Sequence, residues 1–138
     1  MMNRYHLEFS LGLLLLFFLA SCQDNPYKQG ERLYLYHCGN CHMEDGSGLE
    51  GLIPPLAQSD YLKNHPDRIA CIIRYGLSDT IVVNGKTYMG QQMEGIPDLN
   101  YFEITNIINY IHHAWGNGLG YKSAVEVEKE LEQCSTNF

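Results

Sequence analysis

Between Tyr36 and Gly48 the chain reads YHCGNCHMEDGSG, and Cys38, Cys41 and His42 within it form the motif C-x-x-C-H. Two thiols and an imidazole this close together suit one of three chemistries: structural zinc, a redox-active dithiol or covalent haem. Zinc calls for four ligands, commonly from a second close pair, and no second Cys-x-x-Cys occurs in the sequence. A thioredoxin-like dithiol belongs in a βαβ context. Here the cysteines end a helical stretch and open onto the loop-forming run GSGLEGLIPP, from Gly46 to Pro55. C-x-x-C-H is the attachment signature of c-type haem. Thiols at i and i+3 lie on one side of a helical turn, so both can add to the vinyl groups of one porphyrin edge. The adjacent imidazole of His42 then faces the iron.

The elements around the motif have to hold it. Tyr27 to about His42 reads as a helix carrying Leu33, Tyr34 and His37. Pro66 suits a helix start, followed by Ile69, Ile72 and Ile73 at helical spacing and a stop at Gly76. From Ile81 to Tyr88, β-branched residues flank Asn84-Gly85, a strong hairpin signal. Met89 to Asp98 has no usable period and is expected to be loop. Asn100 and Glu103 are spaced as a capping box. After them Ile104, Ile107, Ile108, Ile111 and Trp115 form one apolar stripe, ended by Gly116-Asn117-Gly118. A final helix is expected over Tyr121 to Gln133, with Ala124, Val127, Leu131 and Cys134 on one face. The whole is mostly α with long loops, which requires something solid at its centre.

The chain has 138 residues, room for one domain, and 45% of them are hydrophobic. Its net charge of −7 argues against nucleic acid or an anionic membrane surface as partner and suits either solubility or docking to a basic partner. At the start, Arg4 and His6 precede LGLLLLFFLA, Leu11 to Ala20, an apolar run too short to span a bilayer. That order reads as a secretory signal.

From Gly30 to Asn117 the chain resembles a small class I cytochrome c domain. Gly30, Leu33 and Tyr34 precede C-x-x-C-H as in that family's first helix. The capped isoleucine helix closing on Trp115-Gly116-Asn117 matches its last. The resemblance implies a small cytochrome c fold, with three to four helices wrapped round a covalent haem c. A short hairpin would precede the axial-methionine loop, and an extra helix would follow the fold. The first and last helices should cross, with Gly30 and Tyr34 against the isoleucine stripe. The domain boundaries that follow are a signal peptide at 1–21, a tether at 22–26, the cytochrome domain at 27–117 and a C-terminal helical extension at 118–138.

The same resemblance assigns a site. Cys38 and Cys41 would carry the haem, and His42 would be one axial ligand. Met93 would be the other, because it stands six residues before Leu99 at the family's usual spacing; Met89, ten before, is the alternative. The family's methionine-proline pair is here Met93-Glu94. A proline carbonyl, best matched by Pro54, would orient His42, and Leu56 would touch the porphyrin. Tyr88, Trp115, Arg74 and Lys86 are candidates for contact with a propionate. His112 and His113 ride the helix that packs on the first and are read as framework or solvated groups, and His37 and His65 as surface or capping ones.

Leu19-Ala20-Ser21-Cys22 resembles the lipobox of bacterial lipoproteins, in which the cysteine is acylated and becomes the new N-terminus. That would leave Cys71 and Cys134 uncommitted in an exported protein, where such thiols often pair. The expected function is electron transfer outside the cytoplasm by a lipid-anchored, periplasmic or outward-facing monohaem protein. It would pass electrons from a quinol-oxidising complex to a terminal oxidase or reductase, with no small-molecule substrate and no catalysis of its own. The alternatives are an open-site haem protein acting as gas sensor or peroxidase, and a fixed cytochrome subunit of a larger oxidoreductase.

Overall fold

The computed structural model describes residues 25–134. The signal segment, Cys22 and the start of the tether therefore lie outside the described residues, as does the end of the C-terminal extension. Among the described residues, six helices and two small antiparallel sheets follow in the order α1 (Lys28–His37), α2 (Gly39–His42), α3 (Asp60–Asn64), α4 (Ile69–Tyr75), β1 (Gly76–Leu77), β2 (Ile81–Val83), β3 (Lys86–Tyr88), β4 (Met93–Glu94), α5 (Tyr101–His113) and α6 (Ala124–Gln133). Among the described residues no helix is long and apolar enough to cross a membrane.

The core is the crossing of α1 over α5. Ile104, Ile107 and Ile108 are fully buried, as is Tyr34 from α1. Each isoleucine taken from water contributes about 1.5–3 kcal/mol of hydrophobic stabilisation. The crossing is close because Gly30 has no side chain. A Cβ there would stand 2.0 Å from the carbonyl oxygen of Asn106 and 2.8 Å from Cβ of Tyr110. Beside it the ring of Tyr34 packs on Tyr110 at 5.3 Å and on Trp115 at 5.1 Å between centroids. At the start of α5, Asn100 accepts from the Glu103 amide at 3.1 Å while the Glu103 carboxylate accepts from the Asn100 amide at 2.9 Å.

The β2–β3 hairpin turns at Asn84 and Gly85, both with positive φ (51° and 75°), as a two-residue primed turn requires. Asp60 fixes it to α3: its amide donates to Asn84 Oδ1 at 3.0 Å, and the Asn84 amide donates back to Asp60 Oδ1 at 2.7 Å.

Several elements depart from the expectation. The first helix does not run unbroken to His42; it stops at Cys38 and restarts as one turn, with the Cys41 and His42 amides both donating to the Cys38 carbonyl. Pro66 does not start α4, which begins at Ile69 after a turn. Ahead of it lies the unforeseen α3, capped by the Ser59 hydroxyl, which accepts from the Leu62 amide. The expected loop from Met89 to Asp98 contains β4, paired with β1 in the register Gly76 to Glu94 and Leu77 to Met93. Trp115 does not extend the α5 stripe. The chain leaves the helix at Ala114, and Trp115 takes φ 51°, which turns its ring onto Tyr34 and Tyr110.

Candidate functional site

The one-turn helix α2 presents the motif. Cys38, buried, and Cys41, exposed, are both unpaired and both line a cleft of about 460 Å³ together with His42. Burial, reinforced by neighbouring Cys41, raises the Cys38 thiol to about 12. It stays protonated, the opposite of what a reactive dithiol needs. Among the described residues no three His, Cys, Asp or Glu side chains converge as metal ligands. The redox-dithiol reading thus lacks its electrostatics, and the zinc reading lacks further ligands among the described residues.

His42 is oriented from the loop that follows. Its Nδ1 lies 3.1 Å from the Pro54 carbonyl oxygen, so Nδ1 carries the proton, donates to that oxygen and leaves the Nε2 lone pair free. Burial lowers the imidazole's pKa, with the Pro54 bond opposing, which keeps the ring in the neutral form that can bind a metal. The loop reaches this position through Gly48, at φ +68°. Its amide donates to the His42 carbonyl at 3.0 Å, and a Cβ on it would stand 2.4 Å from the carbonyl oxygen of Ile53. On the other side of the motif, the Tyr34 hydroxyl donates to the Met43 carbonyl at 2.6 Å. Asn117 ties the same loop to α5, its amide nitrogen donating to the Leu56 carbonyl at 2.9 Å and the Ile111 carbonyl at 2.7 Å, while its oxygen accepts from the Gln58 amide.

Met93 is half-buried and lines the cleft with His42, delivered there by β4. Met89 is 69% exposed and does not line it. Pro54, Leu56 and Tyr88 are all lining residues, Leu56 in the inner lobe and Tyr88 in the larger outer one. Of the other propionate candidates, Trp115 is packed in the aromatic cluster and Arg74 donates to the Leu99 carbonyl at 2.6 Å. Lys86 is exposed and pairs with Glu50 at 3.3 Å. The inner lobe, of about 70 Å³, is walled by Leu62, Ile69, Ile72, Ile73 and Val83. Tyr61 and Leu62, from the short α3, escaped sequence reasoning; Ser59 as N-cap before Asp60 was the available signal. Leu77 and Ile81 also line the cleft and carried no periodic pattern.

A cleft with an apolar inner wall, two thiols, an oriented neutral imidazole and a thioether fits one flat, apolar, iron-bearing macrocycle, and the residues present suit haem c. His112 and His113 lie elsewhere: Nδ1 of His112 contacts the Gly120 carbonyl at 2.7 Å, and Nδ1 of His113 the Asn109 carbonyl at 2.8 Å. Away from the cleft, Cys71 and Cys134 are joined in a disulfide.

The family model for cytochrome c matches residues 27–115. A cytochrome c-552 of Thermus thermophilus is 34% identical over 128 residues, covering 86% of this chain and 82% of that protein. The cytochrome c subunit of the quinone alcohol dehydrogenase of Gluconobacter oxydans is 28% identical over 103 residues, 72% of this chain but 21% of that protein. The gluconate 2-dehydrogenase cytochrome c subunit of Pantoea cypripedii is 31% identical over 109 residues, 72% of this chain and 23% of that protein.

Proposed function

This chain belongs to the cytochrome c family, and from that premise we propose that it is a single-haem electron carrier working outside the cytoplasm, held by a lipid on Cys22 to a bacterial membrane. As a family member it carries covalent haem c and moves electrons without being an enzyme in itself. The haem supplies one-electron oxidation and reduction when bound. Cys38 and Cys41 attach it, and His42 Nε2 and the Met93 thioether hold its iron. The observation that carries this reading is the cleft that gathers both thiols, the Pro54-oriented His42 and Met93 against one apolar wall. Pro54 fixes the imidazole, and β1–β4 pairing fixes the methionine, so neither ligand has to reorganise between redox states. Leu56 and the inner isoleucines keep water from the ring.

The test is the visible spectrum of the oxidised holoprotein. The weak long-wavelength band of sulfur bound to ferric haem should be present, disappear in Met93→Ala and survive in Met89→Ala. A wild-type protein without that band, binding carbon monoxide at once when reduced, would instead make this an open-site haem protein.

A second reading, a fixed subunit of a larger oxidoreductase, draws support from the two relatives named as dehydrogenase subunits. Solubilised membranes separate the two readings. A free carrier is recovered alone, and a subunit brings a stoichiometric dehydrogenase with it. The partners proposed for the free carrier are a quinol-oxidising complex as donor and a terminal oxidase or reductase as acceptor.

A further inference from the structure

We infer that the C-terminal segment, locked by the Cys71–Cys134 disulfide, is a positioning device for Met93. The inference rests on the reading of Met93 as iron ligand and concerns what keeps it seated. The methionine segment lies backbone to backbone on the end of α4. Leu77 of β1 pairs with Met93, and the Ile96 amide donates to the Ile73 carbonyl at 2.9 Å. The contact is close enough to require glycine on both sides. A Cβ on Gly76 would stand 2.4 Å from the Met93 carbonyl oxygen, and one on Gly95 would stand 2.6 Å from that of Arg74. Met93 therefore sits only as firmly as α4 does.

α4 packs directly on α5, and the extension supplies a second hold on it. The disulfide joins Cys71, within α4, to Cys134 at the end of α6, closing a loop with a sequence separation of 63. The Lys122 ammonium donates to the Pro66 carbonyl just before α4 and is ion-paired with Glu130 of α6. The extension is in turn fixed to α5. The Asn109 side chain donates to the Lys122 carbonyl and accepts from the Lys122 amide, both at 2.8 Å, and the Leu119 amide donates to the His112 carbonyl at 2.9 Å. Val127, on the inner face of α6, is fully buried. Beside the direct packing of α4 on α5, a second line of support runs from α5 through the extension and the disulfide to α4, then through β1 to β4 and Met93.

Carbon monoxide binding to the ferrous holoprotein reads this directly, because the thioether must leave before the gas can bind. The rate is measured on the native chain before and after a phosphine opens the disulfide, with thiol alkylation confirming two free cysteines, and again on the paired variant Cys71→Ser, Cys134→Ser. Opening should raise the rate about tenfold, equivalent to ~1.4 kcal/mol of easier ligand release, and speed hydrogen exchange at the Ile96 amide. The control is Tyr27→Ala. Tyr27 stacks on His113 at 4.2 Å, so this variant loosens the domain at the α1–α5 end. It should leave both readouts unchanged. An unchanged rate with both thiols free, or an equal rise in Tyr27→Ala, overturns the inference while the ligand assignment stands. A native chain with no thioether band overturns the assignment and the inference together.

Discussion

Replacing Gly30 by alanine tests the helix crossing on which the site is built. The added Cβ would stand 2.0 Å from a backbone oxygen, whereas Cβ contacts under 3.0 Å essentially do not occur, so the helices must part by about 3.0 − 2.0 = 1.0 Å. The obstacle is backbone, which cannot swing aside as a side chain can. A gap of 0.5–1 Å forfeits roughly a quarter to a half of the dispersion attraction across it, and here that falls on Tyr34, Ile107 and Tyr110. Overpacking of this kind costs about 3 kcal/mol at the upper end of its usual range, and alanine's better helix propensity returns about 1 kcal/mol. The net expectation is a loss of about 2 kcal/mol, read from denaturant unfolding of the holoprotein. Gly39→Ala is the internal control. Its Cβ would meet nothing nearer than Leu35 Cδ2 and the Tyr34 carbonyl oxygen, each at 3.8 Å, so only the propensity gain remains. The two substitutions should move stability in opposite directions. If Gly30→Ala is as stable as wild type, the close approach is wrong.

Asn117→Ala removes three hydrogen bonds that pin the loop carrying Leu56 to α5. At about 1 kcal/mol each, a loss of about 2–3 kcal/mol is expected in the same unfolding assay, and a loss well under about 1 kcal/mol would show that the loop is held by other means. His112 gives a pH dependence. Burial lowers its pKa, Lys122 and His113 push the same way, and only the Gly120 carbonyl opposes. The folded state thus binds fewer protons than the unfolded one at this residue. Its contribution is intact above the ordinary histidine range, near about 6.5, and is lost as pH falls through that value. His112→Gln should flatten this acid limb of the stability profile, and an unchanged limb would assign it to other groups.

Local signals were legible in the sequence because each acts within a few residues. Asn100 with Glu103, Asn84-Gly85 and the isoleucine spacing of α5 all specify their own backbone. The C-x-x-C-H motif likewise implied its chemistry before any neighbour was known. What escaped depends on distant partners. The five residues of α3 are too few to show a period, yet they bring Tyr61 and Leu62 to the cleft. Strands β1 and β4 are two residues each and exist only because glycines at 76 and 95 let separated backbones meet. Trp115 kept step with the α5 stripe by count, but its place is set by the rings of Tyr34 and Tyr110, which lie elsewhere in the fold.

The crossing of Gly30 over Asn106 also has a temporal side. A chain made or exported from its N-terminus delivers α1 and both motif cysteines well before α5 exists, so the first helix emerges without its partner. During that interval the rest of the fold has not yet closed over Cys38, which is buried once folding is complete. The separation between α1 and α5 along the chain thereby gives an interval in biosynthesis when Cys38 is as accessible as Cys41, which stays exposed on the finished fold.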